Sequence, residues 1–255
     1  MSASIPELSI VIPAFNEGDR IVSTIQQVSR FLQKEKWTYE VLIVNDGSTD
    51  STAAIVRQSS LSDSHIRLVQ NDGNRGKGYS VGHGVQESRA ECVLFTDADL
   101  SAPIEEAQKL VDPILSGLAD VTLGSRGLDR ALIGIHQPWM REQSGKVFNR
   151  LVRWLLGLKF TDTQCGFKAF RRSAVLPLFE RQRIFRFGFD PEILFLAKIR
   201  GLRILEVPVR WDHAEGSKVR LFSDAREMFL DLIRIRWNYF RGRYRWEASH
   251  DSPGR

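Results

Sequence analysis

Residues 92–103 read Cys-Val-Leu-Phe-Thr-Asp-Ala-Asp-Leu-Ser-Ala-Pro. The apolar run from Val93 to Phe95 predicts a buried strand, and Asp97 and Asp99 follow it, one residue apart. In open α/β sheets, ligand sites form at the carboxyl ends of the strands. Two carboxylates in that place can hold Mg²⁺ or Mn²⁺ against a diphosphate. A strand followed by an acidic turn explains this stretch equally well, because Asp-x-Asp pairs are common.

The segments before this stretch alternate between strand and helix patterns. Strands are predicted at 8–14, 39–44, 66–69 and 91–96, with helices at about 19–34 and 53–58 and a third that ends near 88. This alternation predicts an α/β fold with a mainly parallel central sheet flanked by helices. The loops after three strands then meet at one edge of the sheet. Four carboxylates gather there, which favours a binding site because they otherwise repel one another: Glu17, Asp46, Asp97 and Asp99.

The second half of the chain has a weaker pattern. Helices are predicted at 103–116, 141–156 and 189–200, and strands at 120–125 and 202–211, while residues 161–170 read as an edge strand with a turn. We divide the chain into a catalytic domain, a basic helix and a disordered tail. The ranges are 1–220 (a nucleotide-binding half at about 8–126 and an acceptor half at about 127–220), 221–246 and 247–255.

The predicted C-terminal helix is amphipathic. Its apolar residues, among them Phe229, Trp237 and Phe240, fall on one face and are flanked by arginines. Residues 218–245 hold eight Lys or Arg against three Asp or Glu, which equals the net charge of +5 for all 255 residues. This combination predicts a helix that binds the membrane surface. Packing of the stripe on the protein's own core is the alternative.

The composition limits the class of protein. A hydrophobic content of 42% and a charged content of 26% are ordinary for a globular protein. We expect neither a transmembrane helix nor a signal peptide. Cys92 and Cys165 form neither a disulfide framework nor a zinc site, so a reducing cytoplasm is predicted.

The loop at 73–78 does not match the common phosphate-binding motifs. Its spacing differs from that of the nucleotide triphosphate-binding loop, and no Gly-x-Gly-x-x-Gly follows the first strand. Lys77 nevertheless stands at a predicted helix start, where it could contact a phosphate. A solvated loop lysine is the alternative.

Seven motifs occur in the order seen in family 2 glycosyltransferases. They are Ile-Pro-Ala-Phe-Asn-Glu, Val-Asn-Asp-Gly-Ser-Thr-Asp, Asn-Arg-Gly-Lys-Gly, Asp-Ala-Asp-Leu, Gly-Ser-Arg, Asp-Thr-Gln-Cys-Gly-Phe-Lys and Glu-Gly-Ser-Lys. The chain resembles this family from about Leu8 to Tyr244, and most closely its dolichyl-phosphate β-glucosyltransferase branch. The resemblance implies a Rossmann-like GT-A fold, a nucleotide-sugar donor, a divalent metal, inversion at the sugar and a polyprenyl-phosphate acceptor.

The resemblance and the chemistry together suggest a role for each candidate residue. The metal, Mg²⁺ or Mn²⁺, is expected on Asp97 and Asp99, and the catalytic set is Asp97, Asp99 and Asp190. The expected nucleotide contacts are Pro13, Ala14, Phe15, Glu17, Asp46, Lys77, Asp97 and Ala98. An anionic acceptor needs no strong general base but does need cations to bring it to the donor. The candidates are Arg126, Arg141, Lys168, Lys218 and Arg220.

Two departures from the family pattern affect these expectations. Eukaryotic enzymes of the branch carry an N-terminal membrane helix, which this sequence lacks, so we expect a cytoplasmic protein peripheral to the membrane. Ser101 stands where related mannose-phosphate synthases often have Gln, which leans away from mannose. GDP-mannose or a non-lipid acceptor stays open, as does a non-catalytic nucleotide-sugar binding module. A nucleic-acid partner ranks last because the basic helix has no compact aromatic platform, and the sequence predicts no oligomeric state.

Overall fold

The computed structural model describes residues 5–135, 137, 139–213 and 221–246, with the backbone alone for 141 and 221–224. Seven strands form one sheet in the order β3-β2-β1-β4-β6-β5-β7. The strands are β1 Leu8–Ala14, β2 Tyr39–Asn45, β3 Ile66–Gln70, β4 Cys92–Thr96, β5 Val121–Ser125, β6 Phe167–Arg171 and β7 Ile204–Pro208. The helices are α1 Ile21–Leu32, α2 Thr52–Ser62, α3 Lys77–Glu87, α4 Ala107–Leu115, α5 Trp139–Leu156, α6 Arg172–Glu180, α7 Phe189–Ile199 and α8 Leu221–Phe240.

The first four strands form a parallel block. β1 pairs in parallel with β2 on one side and with β4 on the other, and β2 pairs in parallel with β3. Each connection between these strands runs through a helix, as parallel pairing requires. The predicted α/β fold with a mainly parallel sheet is therefore confirmed, and the carboxyl ends of these four strands lie at one edge.

The strand β6 corrects the interpretation of residues 161–170 as an edge strand. It lies in the interior of the sheet and pairs antiparallel with both β4 and β5. Phe167 and Ala169 pack in the core on one face of the sheet, whereas Phe170 packs on the other. Lys168 interrupts this apolar run in the sequence but is itself buried, so a buried charge conceals a central strand. The α6 helix, which follows directly, is a further element without a sequence prediction.

Helices cover both faces of the sheet. The α1, α2 and α4 helices contribute Ile21, Val56 and Leu110 to one apolar core. The other core contains residues from the remaining helices, including Val81 of α3, Val152 of α5 and Leu232 of α8. Because the two faces are covered, the loops at the strand ends are where a polar ligand can approach the sheet.

The α8 helix has one buried side and one exposed side. Leu232 and Ile235 are fully buried, whereas Trp237 and Phe240 are 56% and 67% exposed. One portion of the apolar stripe therefore packs on the core and another faces outward, and binding of the outward portion to a membrane stays a prediction. No helix in the described ranges is long and apolar enough to cross a membrane. The predicted tail at 247–255 lies outside the described residues.

Candidate active site

Hydrogen bonds join the loops that follow β1 and β2. The backbone N–H of Asn16 donates to Ser48 Oγ at 2.9 Å, and Thr49 N–H donates to Asn16 Oδ1 at 2.8 Å. Glu17 N–H donates to Thr52 Oγ1 at 2.8 Å. Asn16 has a φ of +52°, a left-handed conformation that Asn tolerates better than most residues. These contacts fix the segment that carries the predicted nucleotide contacts Pro13, Ala14, Phe15 and Glu17, and Glu17 also pairs with Arg20 at 2.8 Å.

Asp46 holds the third loop, at 71–76, in place. Its buried carboxylate accepts hydrogen bonds from Asn71 Nδ2 at 2.7 Å, Arg75 N–H at 2.9 Å and Gly76 N–H at 2.8 Å. Gly76 has a φ of +99° and directly precedes α3. Asp46 thus shapes the loop that leads to Lys77. The sequence alone does not reveal this role of Asp46. Its direct contact with a nucleotide stays a prediction.

Asp97 and Lys77 form an ion pair at the end of β4. Lys77 Nζ lies 2.7 Å from Asp97 Oδ1 and 5.3 Å from the centre of the Phe95 ring. Burial raises the pKa of Asp97, as do the nearby Asp99 and Asp190 carboxylates, and these effects outweigh the opposing effect of Lys77. Burial lowers the pKa of Lys77, but the Asp97 carboxylate, with Asp190 and Asp99, outweighs this effect, so the pKa of Lys77 is also raised.

Gly166 makes room for the Asp97 carboxylate. A Cβ atom added at this position would overlap Asp97 Oδ2, and Gly166 C=O accepts a hydrogen bond from Asp97 N–H at 3.1 Å. Between the two aspartates, Ala98 is buried, and its C=O accepts a hydrogen bond from Thr24 Oγ1 at 2.6 Å. The backbone around Asp97 is therefore fixed from two sides.

Asp99 is the second carboxylate after β4, and its role as a metal ligand stays a prediction. In the described part of the chain its one hydrogen bond comes from Ser101 N–H to Oδ1, at 3.0 Å. Leu100, the residue after it, has a φ of +47°, which is strained for a leucine. Among the described residues, no group of three or more His, Cys, Asp or Glu side chains is placed to hold a metal. Mg²⁺ is often held by one or two carboxylates plus substrate phosphates, so Asp97 and Asp99 fit such an ion only together with a bound diphosphate.

Lys168 and Asp190 form a buried ion pair beside this cluster. Lys168 Nζ is buried, lies 2.7 Å from Asp190 Oδ1 and donates to Cys165 C=O at 2.6 Å. Asp190 is also close enough to Asp97 and Lys77 to raise the pKa of both groups. The direct roles of Asp190 in catalysis and of Lys168 in phosphate binding stay predictions.

Arg126 directly follows β5 and lies near Asp97. Its guanidinium pairs with both Asp162 oxygens, at 2.6 and 2.8 Å, and stands 5.4 Å from the centre of the Trp211 ring. Burial would lower the pKa of Arg126, but Asp162 raises it, and Asp97 is close enough to add to the rise. Burial likewise opposes ionisation of Asp162, yet Arg126 lowers its pKa to about 2. The guanidinium is thus fixed in its charged form.

A cleft of about 300 Å³ opens at Arg126, and we call it the cationic cleft. Asp162 and Glu142 are the acidic residues that line it. Its basic residues are Arg126, Arg130, Lys146, Arg150 and Arg153. The last three of these could be found from the sequence, because residues spaced at 146, 150 and 153 share a side of the predicted helix. The side chain of Arg141, and the whole of Lys218 and Arg220, lie outside the described residues.

The profile of the family described as Glycosyl transferase family 2 matches residues 9–179. The dolichyl-phosphate beta-glucosyltransferase of Saccharomyces cerevisiae is 35% identical over 257 residues, covering 93% of this chain and 76% of the yeast protein. The Homo sapiens protein of the same name is 33% identical over 258 residues, covering 95% of this chain and 79% of its own.

A solved structure supports the fold. Glucosyl-3-phosphoglycerate synthase from Mycobacterium tuberculosis, in complex with Mn²⁺, UDP-glucose and phosphoglyceric acid, superposes with a TM-score of 0.69. The two sequences are 19% identical, and the match covers 91% of this chain and 80% of that one. At this identity the likeness concerns the fold, and it agrees with the predicted GT-A architecture.

Proposed function

Because the chain belongs to glycosyl transferase family 2, we propose that it transfers glucose, with inversion, from UDP-glucose to a polyprenyl or dolichyl phosphate. The names of the similar proteins support both the sugar and the acceptor. We place the reaction at the cytoplasmic surface of a membrane. The two buried free thiols, Cys92 and Cys165, are compatible with a reducing compartment.

The donor site lies at the ends of β1, β2 and β4 in this proposal. Asp99, with Asp97, would hold Mg²⁺ or Mn²⁺, and the ion would supply electrostatic stabilisation for the negative charge that gathers on the leaving diphosphate. Lys77 contributes a further positive charge from the first turn of α3 and keeps Asp97 in position. Pro13, Ala14, Phe15, Glu17 and Ala98 border the nucleotide.

The position of Arg126 is the observation that carries the proposal. Arg126 lines the cationic cleft and pairs with Asp162, and Gly166, four residues after Asp162, contacts Asp97 at the end of β4. An acceptor phosphate in that cleft would therefore lie next to the donor site. A cleft with five cations and two carboxylates suits a phosphate rather than a neutral sugar.

The transfer needs one displacement at the anomeric carbon. An oxygen of the acceptor phosphate forms the new bond to this carbon while the bond to the UDP oxygen breaks, and the electron pair leaves with UDP. The nucleophile is already an anion at neutral pH, so no side chain has to remove a proton. The residues at the site act by positioning, because Arg126 and its neighbours offset the repulsion between two anions.

An assay of nucleotide release tests the proposal. UDP-glucose, UDP-galactose, GDP-mannose and GDP-glucose are each incubated with the protein and Mn²⁺, with a polyprenyl phosphate, with 3-phosphoglycerate or with no acceptor. We expect release of UDP from UDP-glucose that requires both the metal and the polyprenyl phosphate. Preferential turnover of GDP-mannose would overturn the choice of donor, and turnover with 3-phosphoglycerate alone would overturn the lipid acceptor.

Membrane contact through α8 belongs to the same proposal. Its outward side carries Ile233, Trp237 and Phe240, and Arg236 stands 4.7 Å from the centre of the Phe240 ring. A helix with exposed aromatic residues and cations binds reversibly to an anionic interface. We expect the full chain to co-sediment with phosphatidylserine-containing vesicles, and we expect salt to weaken this binding. Equal binding to neutral vesicles at all salt concentrations would contradict it.

A further inference from the structure

A second exposed apolar surface lies on α5 and the residues just before it. Trp139 and Trp154 are 73% and 79% exposed, and Ile135, Met140 and Val147 are each more than half exposed. Met140, Val147 and Trp154 recur every seven residues. At ~100° per residue they fall within about 40° of one another, so they form one line along the helix. We call these three residues the α5 stripe.

The opposite side of α5 packs in the core. Phe148, Val152 and Leu156 are buried in the apolar cluster that also holds α7 and α8. At ~100° per residue, these positions lie about 100–180° around the helix from Val147. The orientation of the helix is therefore fixed by the protein itself, and the α5 stripe faces outward as a result.

The basic residues of α5 lie along one side of the stripe. Lys146, Arg150 and Arg153 are ~60–120° from Val147 on the side away from the core, and all three line the cationic cleft. The helix thus presents three sectors around its axis: core, apolar stripe and cations. A large apolar stripe beside cations is the pattern of a helix that lies in a membrane interface.

We propose that α5 docks on an anionic lipid bilayer through Met140, Val147 and Trp154, and that the cationic cleft then opens at the level of the lipid headgroups. The occupant is a bilayer because the cations complement anionic headgroups and because tryptophan favours the interface between headgroups and acyl chains. The position of the cleft at the lipid headgroups rests on the proposed function, since a polyprenyl-phosphate acceptor would enter the cleft directly from the membrane. The α5 and α8 helices pack against each other, so the two exposed apolar surfaces lie on neighbouring helices.

The test compares two substitutions with equal charge and equal exposure. Trp154→Glu places a carboxylate in the α5 stripe, whereas Leu61→Glu places one at a 79% exposed position on α2. The full chain and both variants are titrated with phosphatidylcholine vesicles, with and without phosphatidylserine. We expect Trp154→Glu to weaken binding to the anionic vesicles by about tenfold or more, because an indole is replaced by a charge at the interface. Leu61→Glu should bind like the unchanged protein.

Activity with two forms of the acceptor separates this inference from the proposed function. Trp154→Glu should keep its turnover of a short-chain polyprenyl phosphate that dissolves without a bilayer, and lose turnover of a long-chain one in vesicles. Absence of transfer to either acceptor by the unchanged protein would overturn the proposed function, while the vesicle titration would still decide the role of α5. Equal vesicle binding by Trp154→Glu and the unchanged protein would overturn the inference. So would a dimer in light scattering that Trp154→Glu converts to a monomer, because the stripe would then cover a second copy.

Discussion

We call the edge of the sheet at the ends of β1, β2 and β4 the donor edge. The donor edge and the pair formed by α5 and α8 are built in opposite ways. At the donor edge, polar groups are bonded within the protein: Asp46 takes three hydrogen bonds from one loop, and Asp97 pairs with Lys77 at 2.7 Å. On the two helices, apolar side chains face outward, with Trp154 79% and Phe240 67% exposed. Fixed charges are ready to stabilise a transition state. Exposed apolar residues next to cations suit reversible attachment.

This difference separates two kinds of functional effect. Changes at the donor edge should alter the rate of transfer or the stability of the loops. Changes on the outward sides of α5 and α8 should alter attachment to lipid and leave the folded domain unaffected. Five substitutions test this separation.

Replacement of the proposed metal ligand should have the largest effect. Asp99→Ala removes a carboxylate whose one hydrogen bond in the described chain is local, so the fold should persist. Loss of charge stabilisation on the leaving group should lower kcat by about 10²–10³-fold. The matched control is Asp112→Ala, an exposed residue on α4. Near-normal turnover by Asp99→Ala, with an unchanged circular dichroism spectrum, would remove Asp99 from the mechanism.

Glu192 connects the two regions, and its ionisation should make stability depend on pH. Its buried carboxylate accepts hydrogen bonds from Tyr244 Oη at 2.5 Å and from the backbone N–H groups of Arg183 and Ile184 at 2.9–3.1 Å. Phe185 C=O, one residue further on, accepts from Tyr79 N–H of α3 at 3.0 Å. Glu192 thus ties the turn that follows α8 to residues 183–185, which contact α3 next to the loop at 71–76. The sequence places it only at a helix start, where it could orient the acceptor or cap the helix.

Burial raises the pKa of Glu192 from an ordinary value of 4.5 to about 7, despite these hydrogen bonds. The folded state then keeps a proton that the unfolded state loses between those two pH values. Glu192 should therefore lower the free energy of unfolding by about 3 kcal/mol as pH rises from about 4.5 to 7. Glu192→Gln keeps an acceptor for the backbone N–H groups and should lose this slope in urea titrations at about pH 5 and pH 8. Glu180→Gln, at an exposed position, is the control and should keep the slope. If the free energy of unfolding of Glu192→Gln changed with pH as much as that of the control, the prediction would be contradicted.

The carboxylate of Asp46 should stabilise the loop at 71–76. Asp46→Ala leaves the donors of Asn71, Arg75 and Gly76 without their acceptor. We expect the free energy of unfolding to fall by about 1–3 kcal/mol. UDP should bind more weakly in calorimetry, because the loop that precedes Lys77 is released. Glu17→Ala provides the comparison for a direct nucleotide contact. Weaker UDP binding with unchanged stability in Asp46→Ala would indicate that Asp46 contacts the nucleotide itself.

Arg126→Lys should affect the acceptor more than the donor. The substitution keeps the charge but loses the two-point contact with Asp162. The apparent KM for polyprenyl phosphate should rise by about tenfold, with the KM for UDP-glucose nearly constant. Arg30→Lys, at an exposed position on α1, is the control. A larger rise in the KM for the donor would show that Arg126 serves the diphosphate instead.

Substitution on the outward side of α8 should change stability least. Phe240→Glu alters a side chain that is 67% exposed, so the free energy of unfolding should stay within about 0.5 kcal/mol of the unchanged protein. Binding to phosphatidylserine vesicles should weaken severalfold. Unfolding of this variant would mean that the stripe belongs to the core and would erase the contrast between the two regions.

The nucleotide-binding half could be predicted from the sequence because its strands are nearly pure apolar runs. Val93 to Phe95 and the strands before them alternate with helices, and the polar residues appear where each strand ends. The acceptor half could not be predicted as well, because charges are buried inside it. Lys168 lies within β6 and hides a central strand, and Asp190, its partner 22 positions further along, resembles an ordinary helix cap. Pairing between distant charges depends on the tertiary fold and leaves no local pattern.

The α5 stripe has a pattern that is visible in the sequence. Met140, Val147 and Trp154 recur at seven-residue spacing, but Phe148 and Val152 offer a second apolar side on the same helix. Periodicity cannot decide which of two apolar sides packs on the core. The structure decides it, because Phe148 and Val152 contact the apolar cluster that includes α7 and α8.

The structure of the lipid product distinguishes inverting transfer of glucose to a lipid phosphate from the other possible reactions. The full chain is incubated with UDP-glucose, Mn²⁺ and a short-chain polyprenyl phosphate, and the lipid product is examined by NMR and mass spectrometry. We expect one glucosyl phosphate lipid for each UDP released, with the β configuration at the anomeric carbon. A product with the α configuration, or UDP release with free glucose and no glycosylated lipid, would contradict it.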